Sequence, residues 1–232
     1  MKVSEIKILI LIPILMLILI SSSFANCLDL FSSIEASEEK IMSTYKEEIE
    51  FEDDLFPRNL ILSAAQDNFK QTFSPSKLRD MIEDLEINKF SRDDYFSLNE
   101  LLREAYKNAL DSFVDLENPD GLVTVDIKIK GSELIFRIKD NGQGIQDDIF
   151  EQLFEERIGQ GKAKTQALGD QELGVITILQ NAQELGFLMI QIETKHESSP
   201  SRKKTIKNTG EIKKEDGNLN ETGTVFELSF II

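Results

Sequence analysis

The chain has 232 residues, 41% of them apolar, and a formal net charge of −16. That is room for one ordinary domain with an N-terminal extension, too apolar for a disordered chain, and too acidic for non-specific binding to nucleic acid or anionic lipid. A single cysteine, Cys27, and a single histidine, His196, exclude an internal disulfide, cysteine or histidine zinc sites, and most acid–base chemistry that relies on histidine.

Lys2 and Lys7 precede an apolar run from Ile8 to Ile20, followed by Ser21-Ser22-Ser23-Phe24-Ala25. A positive start, a short apolar core and small residues before a cut after Ala25 are the parts of a secretory signal, and the run is shorter than the roughly 20 residues that span a bilayer. Residues 1–25 are therefore read as a signal peptide, with a retained membrane anchor as the alternative. Either way the charge bias sends the remainder out of the cytoplasm, and contact with a membrane is expected only if this segment is retained.

Residues 26–96 read as a helical region. Phe31 to Phe51, Leu60 to Phe73 and Ser76 to Leu85 each mix apolar and charged residues at helical spacing. Ser74-Pro75-Ser76 marks a break and a helix start, with Ser74 or Ser76 as cap. Residues 97–232 form the second domain. Leu98, Leu101, Leu102, Ala105, Tyr106, Ala109, Leu110 and Phe113 recur at three and four, one face of an amphipathic helix. After the turn signal Asn118-Pro119-Asp120-Gly121, alternation predicts a strand over Val123–Ile129 and a return strand through Leu134, Phe136 and Ile138. Leu173–Leu185 reads as a helix, Leu188–Ile192 and Gly223–Ile231 as strands. Lys195–Asn220 reads as an exposed loop whose Arg202, Lys203, Lys204 and Lys207 are a solvated cluster or a docking patch for an acidic partner. A hairpin with one apolar and one polar face wants helices on one side only, an α+β two-layer sandwich.

Three short stretches carry candidate chemistry. Glu104, Asn108 and Asp111 share one helix face. An Asn oxygen suits a hard cation such as Mg2+, and a carboxylate one turn away can deprotonate a water aimed at phosphorus. The alternative is a solvated polar edge on a core helix. Asp140-Asn141-Gly142-Gln143-Gly144-Ile145 follows a strand, where a carboxylate can accept from an exocyclic amine and glycines allow close approach. The alternative is an ordinary turn. Gly159 to Thr165, with Lys162 and Lys164, and then Gly169 to Gly174 precede a helix, an arrangement that cradles phosphate or simply links helices.

In this order and spacing the stretches resemble the boxes of the GHKL (Bergerat-type) superfamily of histidine kinases, gyrases, mismatch-repair ATPases and heat-shock chaperones. Glu104-x-x-x-Asn108-Ala109-x-Asp111 is similar to the N box, and Asp140 to Ile145 to the G1 box. Ile149 to Phe154 resembles the F box of the kinases, Gly169 to Gly174 takes the place of the G2 box, and Thr222-Gly223-Thr224 resembles the final strand start. The resemblance implies a mixed sheet with helices on one face and an ATP pocket under a lid. It implies Asn108 as the Mg2+ ligand, Glu104 as general base, Asp140 on the adenine amine, and Gly142, Gly144, Ile145 and Thr224 around the base. Asp111, Lys162, Lys164, Gly169, Leu173 and Gly174 would complete the nucleotide site. Glu172 stands where the kinases place a glycine, and no histidine precedes the domain to accept a phosphoryl group. The expected function is an Mg-ATP-binding protein that cleaves the γ-phosphate by hydrolysis or transfer to a partner protein; the alternatives are a non-catalytic nucleotide-binding or interaction module, and a secreted effector that docks through its basic loop.

Overall fold

The structure, a computed structural model, describes residues 40–50, 58–113, 120–154 and 170–232. The expected signal segment, Cys27, Lys162, Lys164 and Gly169 lie outside the described residues. Described residues from Lys40 to Ile232 belong to one compact unit.

The hairpin read from alternation is present. Strand β2 (Asp120–Lys130) pairs antiparallel with β3 (Glu133–Asp140), turning at Gly131, whose φ of 59° is the left-handed region that glycine tolerates. Around it the described strands build one sheet in the order β1-β2-β3-β7-β4-β5-β6, with β1 Lys40–Glu50, β4 Met189–Lys195, β5 Arg202–Lys207, β6 Ile212–Asp216 and β7 Gly223–Ile231. Every pair is antiparallel, so the mixed sheet implied by the resemblance is corrected.

Two further expectations are overturned. The stretch read as a helix within Phe31–Phe51 is, over its described part, strand β1 against β2. Its Tyr45, Glu47 and Ile49 face the core while Thr44, Lys46 and Glu48 are exposed. Glu47 interrupts the apolar alternation, and is held there by hydrogen bonds from the Tyr45 hydroxyl and from Asn68 Nδ2. Lys195–Asn220 is not a loop but contains the β5–β6 hairpin. Its basic residues are engaged within the fold: Lys203 pairs with Glu215, Lys207 with Glu211, and Arg202 with Asp147.

The helices are α1 (Arg58–Thr72), α2 (Pro75–Glu83), α3 (Arg92–Asp111), α4 (Asp147–Gln152) and α5 (Asp170–Glu184). Among the described residues none is long and apolar enough to cross a membrane. Pro75 opens α2 after Ser74, where its missing N–H costs nothing. The helix α3 starts a turn and a half before the apolar stripe, because Ser91 and Asp94 cap each other reciprocally. Leu98, Leu101, Leu102 and Leu110 of α3 are fully buried with Val123, Phe136, Leu228 and Phe230 of the sheet. Each such side chain contributes roughly 1.5–3 kcal/mol. The opposite sheet face is polar. Thr44 donates to Asp126, Arg137 pairs with Glu227, and Gln191 donates to Glu227 across neighbouring strands. One face buried and one face polar is the two-layer α+β arrangement.

Candidate functional site

The site is assembled where the C-terminal end of α3 meets the loop after β3. Ser112 closes α3, and its hydroxyl donates to the Ala109 carbonyl at 2.6 Å and lies 3.4 Å from Asp140 Oδ1. The Gln143 N–H donates to the Ser112 carbonyl at 3.3 Å. Gly142 sits so close to this helix end that a Cβ there would meet Ser112 Oγ at 1.8 Å. Gly144 (φ 73°) approaches the Lys195 carbonyl just as closely, at 2.3 Å from a Cβ. Both glycines are thus required by the protein's own atoms, the Ser112 side chain beside Gly142 and the Lys195 backbone beside Gly144, which is a different reason from the close approach of a ligand expected from the sequence.

Asp140 is 5% exposed. Its Oδ1 accepts N–H bonds from Gly142 at 2.9 Å and Thr224 at 3.1 Å. Among the described residues Oδ2 takes no hydrogen bond, and Asp140 lines a cavity. One oxygen is fixed to the frame and the other is left for a donor in the cavity. Burial pushes the carboxyl up to about 7, against the pull of the two N–H groups. Asn141, by contrast, is structural: its Oδ1 accepts from the Leu122 N–H at 2.7 Å and closes the end of the hairpin.

The cavity holds about 340 Å3, within the range of small-molecule sites. Its floor is Ile138, Phe226 and Ile192, neighbours on β3, β7 and β4. Ala105, Asn108, Ala109 and Ser112 of α3 form one wall, Val175 and Ile178 of α5 another, and Ile149, Leu153 and Phe154 around α4 a third. A mostly apolar slot with a carboxylate oxygen in its lining suits a flat ring that carries an amine. Asn108 stands at the cavity with a carboxamide that makes no hydrogen bond to the protein among the described residues.

The structure brings Asn108, Asp140, Gly144, Ile145 and Thr224 together around this cavity, with Gly142 directly behind Asp140. Glu104, one turn before Asn108, is half-buried and does not line it; nor does Asp111. Leu173 and Gly174 fall in the first turns of α5, and the placement of the Leu173 side chain lies outside what is described.

Besides apolar lining residues, two hydrogen-bonding residues that hold the site together were not read from the sequence. Ser112 follows Asn108 at four residues, a helical spacing that was available as a signal. Thr194, with 0% exposure, had none, since a threonine at a strand end is common. Its hydroxyl accepts from the Ile145 N–H at 2.9 Å, donates to the Gly223 carbonyl at 3.1 Å, and lies 3.2 Å from Thr224 Oγ1. It ties the Asp140 loop to β4 and β7.

The family described as histidine kinase-, DNA gyrase B-, and HSP90-like ATPase matches residues 93–230. No curated protein matches the chain. Among solved structures, the chain is similar to the histidine kinase domain of the Erythrobacter litoralis EL346 blue-light-activated histidine kinase, at 13% identity and a TM-score of 0.37, over 80% of this chain and 64% of that one. It is also similar to the mycobacterial sensor histidine kinase MprB (17% identity, TM-score 0.37, 59% and 73% covered) and to the N-terminal domain of a DNA repair protein (22%, 0.29, 42% and 26%). With the family match running from the second residue of α3 to the last but one of β7, the chain belongs to the histidine kinase-, DNA gyrase B- and HSP90-like ATPases and carries an ATP-binding domain of that type.

Proposed function

We propose that this chain binds ATP with Mg2+ in the cavity between α3, α4 and the sheet, and cleaves the γ-phosphate by hydrolysis or by transfer to a partner protein. The observation that supports the binding half is the split of Asp140: Oδ1 is anchored by two N–H groups, and Oδ2 is left to accept from the adenine amine. The donor set suits Mg2+ in its usual form. One uncommitted carboxamide, Asn108, supplies an oxygen, with waters and phosphate oxygens for the rest. When bound, that ion would neutralise charge on the phosphates. Glu104 sits one turn before Asn108 on the same helix face and would take a proton from the attacking water or acceptor.

A second reading, nucleotide binding without cleavage, is favoured by Glu104 standing outside the cavity lining. Phosphate release under steady state, for the wild type and for Glu104→Gln, separates the two. Release abolished in the variant with ATP affinity retained supports cleavage. A wild type that binds ATP, releases no phosphate and transfers none to candidate acceptors leaves binding only.

The N-terminal segment is proposed to export the domain, or to anchor it, so that it meets ATP outside the cytoplasm. N-terminal sequencing of the protein recovered from cells tests this: a start at Asn26, or an uncut chain in the membrane fraction, fits, and an uncut chain in the soluble fraction does not.

A further inference from the structure

The strand row that floors the cavity continues past it. Ile138 pairs with Phe226, Phe226 with Ile192, Ile192 with Lys204 and Lys204 with Lys214. Lys204 has 0% exposure, an expensive place for an ammonium. Its Nζ donates to three backbone carbonyls at the end of α4: Phe150 at 3.0 Å, Glu151 at 2.8 Å and Leu153 at 2.7 Å. Carbonyls at a helix C-terminus run short of intrahelical donors, with only that of Phe150 among these three also accepting a described helix N–H, from Leu153 at 3.3 Å, and a cation there also meets the negative end of the helix.

The same hairpin grips α4 at two more points. Arg202 pairs with Asp147 at 2.6 Å, donates to the Ile145 carbonyl at 3.3 Å, and lies 4.5 Å from the Phe150 ring centroid. Lys214 pairs with Glu151 at 2.7 Å. What is held is a cavity wall. Ile149, Leu153 and Phe154 face the ligand space, and Phe154 has a φ of 68°, which bulky residues avoid. The carbonyl just before it is the one Lys204 holds most closely.

We propose that Lys204, with Arg202 and Lys214, is a positioning residue for nucleotide binding: the β5–β6 hairpin sets the α4 wall of the cavity and so its affinity for the adenine end of the ligand. This rests on the cavity being the ATP site. None of the three lines the cavity, so each acts through α4.

The test is calorimetric titration of ADP into the wild type, Lys204→Met, the double variant Arg202→Gln/Lys214→Ala, and Leu78→Ala as a control. Leu78 is fully buried in α2, away from the cavity, and its truncation lowers stability without touching the wall. Titrations are run well below each variant's thermal midpoint. The account expects Leu78→Ala to bind as the wild type does, and Lys204→Met to bind about tenfold more weakly, the loss of one charge-assisted hydrogen bond's worth of wall placement. The double variant, altered only in half-exposed or partly buried contacts, is expected to weaken ADP by about threefold; it carries the test if Lys204→Met does not fold. Variants that are folded and bind within experimental error of the wild type overturn the positioning role alone. A folded wild type that takes up no adenine nucleotide overturns the cavity reading and this inference with it.

Discussion

Gly142 and Ser112 occupy the same small space: the hydrogen of the one lies where a Cβ would sit 1.8 Å from the hydroxyl oxygen of the other. This contact joins the helix that carries Asn108 to the loop that carries Asp140. It fixes how far Asn108 stands from Asp140.

Gly142→Ala should therefore push the Asp140 loop off α3. Overpacking of this kind costs about 1–3 kcal/mol, and the loss of ATP affinity should be larger than the loss of stability alone would cause. Adding Ser112→Gly should restore part of both. Thermal melts and titrations across the double-mutant cycle check the coupling; purely additive effects would place the strain elsewhere.

Asp140 gives the site a pH dependence of known sign. Its folded carboxyl titrates near 7, above the ordinary carboxylate range, so the folded protein holds this proton more tightly than the unfolded chain. The group's contribution to stability is full below about pH 4 and is lost as pH rises through 7. Asp140→Asn removes that loss, and the unliganded variant should be the more stable protein at pH 8 by up to a few kcal/mol, with the difference shrinking toward pH 5. Binding runs the other way. An amine donor needs the ionised carboxylate, so wild-type ATP affinity should rise between pH 5.5 and 8 by up to about tenfold per unit below the titration point. Melting curves and titrations over that range read both signs.

Thr194→Val deletes a hydroxyl that serves the Ile145 N–H and the Gly223 carbonyl at once. One part-buried N–H and one buried carbonyl lose this partner, at about 1–3 kcal/mol for each left unsatisfied in the interior. Chemical denaturation should show a lower midpoint with an unchanged slope. An unchanged midpoint would mean that water replaces the hydroxyl.

Asn108→Ala should leave the fold intact, because the carboxamide bonds nothing in the protein among the described residues. ATP affinity without Mg2+ should stay within about twofold of wild type, while the gain on adding Mg2+ should disappear. Titrations with EDTA and with Mg2+ distinguish this from a general loss of the pocket.

Much of this site was legible in the sequence, and the reasons are local. The α3 stripe and the β2–β3 hairpin bury apolar residues with clean periods of 3.6 and 2, and Asn108 and Asp140 ride on them. The start of α3 was placed late because the Ser91–Asp94 capping box precedes the apolar stripe. Strand β1 was misread because Glu47 occupies a core-facing position that tertiary hydrogen bonds from Tyr45 and Asn68 make tolerable. The β5–β6 hairpin was misread for a related reason. Arg202 and Lys204 point inward, and α4 with its flanking residues, distant in sequence, supplies carbonyls and a carboxylate that let cations sit there. A period-2 pattern written in charged residues looks like a solvated loop until its partner is known.

The most direct test of the central claim is calorimetric titration of ATP into the purified chain at pH 8 with Mg2+, beside Asp140→Asn. The account predicts saturable one-site binding by the wild type, weakened by about a hundredfold or more in a variant that is folded and at least as stable, since a buried acceptor is replaced by a donor. Equal affinity in the two proteins, or no uptake of ATP by a folded wild type, would contradict it.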